Sequence, residues 1–157
     1  MRVLTYPFML IAGVGFLLSL IAHLVALFGK SIPGGGLVWA LHVGIFMVWI
    51  PAILISKGKL DHVPAQRQLD AVIAECPGWM RRAIKILFAY AIVNFLLFII
   101  STTGHPRPTG SAPAAVIRGF SGHWMIFYSM AFVTFYSEAK SSRAKREVQD
   151  RPGGRAS

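Results

Sequence analysis

The residues in this chain best suited to chemistry are its histidines, and three of the five, His23, His42 and His123, fall inside long apolar stretches. Imidazole can ligate a metal, move a proton or hydrogen-bond through either nitrogen. An ionisable group placed among hydrocarbon is costly, and such groups usually line a cavity or a functional site. His62 and His105 lie in polar segments and read as solvated. Helical rise puts the other three at one level, roughly 5–8 Å to one side of the midpoint of their stretches.

Two imidazoles on facing helices are the axial-ligand pattern of a b-type haem. The order of preference for that role is His123, His42, then His23, with the third free to hydrogen-bond a propionate or a quinone carbonyl. Arg118, five residues before His123, could neutralise propionates. Trp39, Phe46, Trp49, Trp124, Phe127 and Tyr128 could flank a flat macrocycle, although aromatics at helical spacing are more often packing. The same three imidazoles, as metal ligands, could hold zinc or copper with an open fourth position. The plainer alternative is that each neutral ring hydrogen-bonds a neighbouring helix, worth about 0.6 kcal/mol. Asn94, the one amide within an apolar stretch, reads the same way. No Asp or Glu lies inside any of these stretches, which weakens hydrolytic metal chemistry and acid-driven transport.

Something must position these side chains, and the composition says what. Of 157 residues, 55% are hydrophobic and 14% charged, with a mean hydropathy of +0.58. Soluble domains carry about 25% charge. The apolar residues form four blocks, 8–28, 37–55, 83–100 and 117–136, each close to the ~20 residues a helix needs to cross a bilayer. None shows the strict alternation of a barrel strand, so helices are expected. The fold class predicted is an all-α integral membrane protein with four transmembrane helices in two hairpins. The first block is too long for a signal-peptide core and is expected to remain as the first span.

Charge sets the orientation. The net +10 is concentrated at Arg2, in the linker 57–82 with Lys85, and in the tail 138–157. Short cytoplasmic segments are rich in Lys and Arg, so both termini and the linker are expected to be cytoplasmic, in a bacterial cytoplasmic membrane. The basic excess therefore reports topology, with some attraction to anionic lipid, and no aromatic–basic motif accompanies it to suggest nucleic acid. The first hairpin turns at "GKSIPGGG" and the second at "STTGHPRPTGSAP". Within the linker, Leu69, Val72, Ile73 and Cys76 recur at helical spacing after Pro64, predicting a short interfacial helix. Cys76 is the only cysteine, which excludes an intramolecular disulfide and reads as an apolar group.

Packing cues point to a compact bundle spanning residues 1–137. Ala12, Gly15, Ser19, Ala22 and Ala26 make a small-residue stripe on the first helix, and Gly119 and Gly122 begin another. Pro51 should kink the second helix. The functional expectations are two. One is a b-type haem or quinone-interacting electron-transfer subunit; the other is a non-enzymatic accessory or assembly subunit of a larger membrane complex. A small transporter or metal-handling protein is a third class.

Overall fold

A computed structural model describes residues 5–30, 36–103 and 114–149, and all its regular structure is helical. Helix α1 runs Thr5–Leu27. A single 3₁₀ turn, Leu37–Trp39, leads into α2, Ala40–Leu60. Short α3, Ala65–Ile73, precedes α4, Gly78–Thr102, and α5 covers Ala114–Gln149. Most of both predicted hairpin turns, His105 and the "RPGGRAS" end lie outside the described residues.

Helix ends follow local chemistry. Gly29, at φ 68°, closes α1, with the Lys30 amide donating to the Val25 carbonyl and the Gly29 amide to that of Ala26. A residue with a Cβ would strain that left-handed turn. Pro64 and Pro77 stand in extended conformation directly before α3 and α4, where a missing amide proton costs nothing. Helix α2 continues unbroken through Pro51.

Among the described residues three helices are long and apolar enough to cross a membrane: Thr5–Leu27, Leu37–Leu60 and Gly78–Ser101. Helix α5, which contains the fourth predicted block, is not among them. The reason lies in its position. It packs against α1 most extensively, and also against α2, α3 and α4. Trp124, Met125, Ile126, Tyr128 and Ser129 are all buried, so most of the helix circumference is covered, with His123, Phe127 and Met130 half-buried. Side chains that meet neighbouring helices need not be uniformly apolar, and α5 carries Ser121, Ser129, Thr134 and Ser137 in its buried part.

The outer helices show the opposite pattern. Leu10 on α1 is 69% exposed and Ile100 on α4 is 70% exposed. Helix α1 turns inward the very stripe of small residues noted in the sequence: Ala12, Gly15, Ser19, Ala22 and Ala26 are buried, with His23 beside them. Close approach is enforced at the glycines. Any Cβ at Gly15 would collide with the Tyr128 ring, and one at Gly44 with the Tyr128 hydroxyl. Tyr128 thus fills the junction of α1, α2 and α5, where its hydroxyl donates to the Leu41 carbonyl at 2.8 Å.

The short linker helix predicted from the sequence is present as α3, Ala65–Ile73. Its apolar residues Leu69, Val72 and Ile73 pack on α5 near Val133 and Tyr136, together with Cys76 and Ile84. Because α5 runs on past this level, α3 finds a protein surface to cover. Helix α5 has 36 residues, about 54 Å at the standard rise, well beyond a ~30 Å hydrocarbon layer. Ion pairs fasten this end: Lys59 to Glu138 at 2.5 Å and Lys85 to Asp70 at 2.8 Å. The Lys85 ammonium, hydrogen-bonded to Asp70, holds that carboxyl below the usual carboxylate range.

Candidate functional site

Each polar residue singled out from the apolar stretches of the sequence is carried by α5 or lies against it. His23, from α1, is 2% exposed and uses both ring nitrogens. Its Nδ1 lies 2.8 Å from Ser121 Oγ, and its Nε2 hydrogen-bonds the Tyr90 hydroxyl of α4. Ser121 itself donates to the Arg118 carbonyl at 3.2 Å. That leaves the serine oxygen to accept, so His23 donates from Nδ1 and Tyr90 donates to Nε2. The chain of bonds ends on a backbone carbonyl, which cannot pass a proton onward. It joins α1, α4 and α5.

Asn94 reinforces the same junction. Its Nδ2 donates to the carbonyls of Arg118 at 3.0 Å and Gly119 at 3.4 Å. The approach is possible because Gly122 has no side chain: a Cβ there would stand 2.6 Å from Asn94 Nδ2. One turn along, Phe98 covers Gly119 in the same way. Arg118 therefore contributes its carbonyl, while its side chain is half-buried and makes no ion pair among the described residues.

His42, on α2, accepts a hydrogen bond from Trp124 Nε1 at 3.0 Å through Nδ1. Indole can only donate, so the neutral His42 ring carries its proton on Nε2. Aromatic rings enclose it: Trp39, Phe46, Phe120 and Trp124 all have centroids within 6.4 Å.

His123 is different. It is half-buried, and no hydrogen bond to it occurs among the described residues. Its ring lies 4.6 Å from that of Phe127 and 6.0 Å from that of Phe95. It faces a crevice of about 400 Å³ on α5, between α2 and α4. Trp49 from α2, Phe88 and Phe95 from α4, and Phe127 and Met130 from α5 are among its walls. A second cavity, about 660 Å³, adjoins it through the shared Trp49 and Met130 and reaches Ser56, Lys57, Asp61 and Gln68.

The three imidazoles are not gathered at one point. Among the described residues no three His, Cys, Asp or Glu side chains form a group able to hold a metal ion. Sequence reasoning missed Tyr90 and Ser121, the partners of His23. Tyr90 is the one tyrosine in its apolar block, which is the signal that marks it. The crevice has no signal in sequence, because three separate helices form it. Comparison of the chain with protein-family models, curated proteins and solved structures finds no match.

Proposed function

We propose that this chain is a four-span bundle of a bacterial cytoplasmic membrane, with both ends cytoplasmic, and that it works by binding as an accessory subunit of a larger membrane complex. Exposed apolar faces on α1, α2 and α4 suit lipid contact. The concentration of basic residues in the linker and tail supports the orientation. The observation that carries the non-enzymatic reading is the state of the polar interior. His23, His42 and Asn94 are each engaged by a partner on another helix. Groups held in this way brace a bundle rather than wait for a substrate. The long cytoplasmic stretch of α5 supplies a surface for a protein partner.

A b-type haem requires two bare imidazole nitrogens facing each other. His123 has free nitrogens, but His42 carries its proton on the nitrogen that Trp124 leaves open, and His23 has neither nitrogen available. These engaged nitrogens favour the binding reading over bis-imidazole ligation. Solubilising native membranes in mild detergent, then measuring particle mass and the reduced-minus-oxidised spectrum of one sample, tests both readings. The accessory reading expects a particle well above the 17.2 kDa chain in its micelle, with no haem band from this subunit. A monodisperse single chain overturns it, as does a b-type band abolished in His123→Ala.

A further inference from the structure

We propose that the crevice between α2 and α4 is a binding site for a neutral para-quinone carrying an alkyl or isoprenoid tail, with the His123 imidazole as its hydrogen-bonding partner. The inference rests on the bilayer placement proposed above. Ligand sites are mostly apolar concavities of ~300–1,000 Å³ with one or a few polar groups aimed inward. This crevice has about 400 Å³, aromatic walls from Trp49, Phe88, Phe95 and Phe127, and one imidazole.

Its chemistry narrows the occupant. None of the lining residues is charged, so a phosphate or ammonium headgroup would find no counter-ion. A phospholipid keeps its headgroup at the surface, and its acyl chains would leave His123 unpaired in hydrocarbon, which is the costly outcome. A flat, uncharged ring with carbonyl oxygens stacks on aromatics and accepts the imidazole N–H. Its reduced form offers hydroxyls that donate to the other nitrogen, so neutral His123 can hold either form. Open to the side, the crevice lets an apolar tail leave into lipid. Binding alone is proposed, with no electron transfer at this site.

The test uses the full chain, first shown to resist alkaline extraction from membranes, then purified in detergent. A decyl-substituted benzoquinone is titrated while tryptophan fluorescence is followed, since Trp49 lines the site. Saturable quenching is expected, with binding about ten-fold weaker in His123→Leu, the scale of one hydrogen bond in an apolar site. Ile92→Phe, which crowds the crevice from α4 and leaves His123 in place, should also weaken binding, while His62→Ala should not. Circular dichroism of each variant checks folding. Non-saturable quenching overturns the proposal, as does equal affinity in His123→Leu. So does equal competition by decane, which would make the crevice an acyl-chain slot. Extraction of the chain by alkali would instead refute the bilayer placement itself.

Discussion

Trp124 and His42 are joined by one hydrogen bond of 3.0 Å, and its direction determines which nitrogen of His42 holds the proton. The bond links α5 to α2 and fixes the imidazole as a donor at Nε2.

Replacing Trp124 with Phe removes the donor and releases the tautomer. Nitrogen-15 NMR of histidine-labelled protein should report a single Nε2–H form of His42 in the parent chain and a mixture in Trp124→Phe. Stability should fall by about 0.6–1.7 kcal/mol from the lost bond, with a further loss from the smaller ring. A parent chain already showing both tautomers refutes the assignment.

His23 offers a more demanding case, because its two bonds tie α1 to α4 and to α5. Tyr90→Phe and Ser121→Ala each remove one, and each should cost on the order of 0.6 kcal/mol. His23→Leu strips both partners at once and should cost more than the two together, since the Ser121 and Tyr90 hydroxyls lose their shared partner. Unfolding in mixed micelles would measure all three; equal stability of His23→Leu and the parent chain would count against the network.

Much of this arrangement is legible from residue type and spacing, for a physical reason. The stripe Ala12, Gly15, Ser19, Ala22 and Ala26 could be read as an inward face because small side chains are what permit close helix approach, and these residues are indeed buried. The apolar blocks found α1, α2 and α4 because exposed faces there must be uniformly apolar. What the sequence hides is pairing. Nothing in "SGHW" says that Ser121 meets His23 or that Trp124 meets His42, since these partners are 98 and 82 residues apart. The apolar block 117–136 marks only the middle of α5. Its run to Gln149 is supported by α3 and by Lys59–Glu138, tertiary contacts with no local signature.

The glycines of α5 give a test of shape alone. Gly119→Val places a branched side chain against Phe98, where even one carbon collides, and should destabilise α4–α5 packing by about 1–3 kcal/mol. Truncating Phe98 to Ala in the same chain should recover part of that loss. If Phe98→Ala leaves the loss undiminished, the proposed contact is not its source.

Cys76 reports on the α3–α5 junction. It is buried, its Sγ lies 3.8 Å from the Val133 carbonyl, and burial pushes its thiol pKa up. Alkylation near pH 8 should therefore be much slower in the folded chain than in denaturant. A pKa raised on folding contributes stability that is present below the unfolded thiol's value, about 8.5, and lost as pH rises through the folded one. The melting temperature should fall across that alkaline window, and Cys76→Ala should abolish the thiol's share of the fall. Rapid labelling of the native chain would place Cys76 outside the core.

Among the described helices, α5 comes last in chain order and packs against α1, α2, α3 and α4. During synthesis, α1, α2 and α4 are made before the element that joins them exists. Until it arrives, His23 has no Ser121, Asn94 has no helix carbonyls to receive it, and Gly15 and Gly44 frame a gap that only Tyr128 fills. Assembly is thus deferred to the last stage of synthesis. A ribosome stalled before residue 114 would leave loosely associated helices with unpartnered polar groups, substrates for quality-control proteolysis rather than a partly working protein.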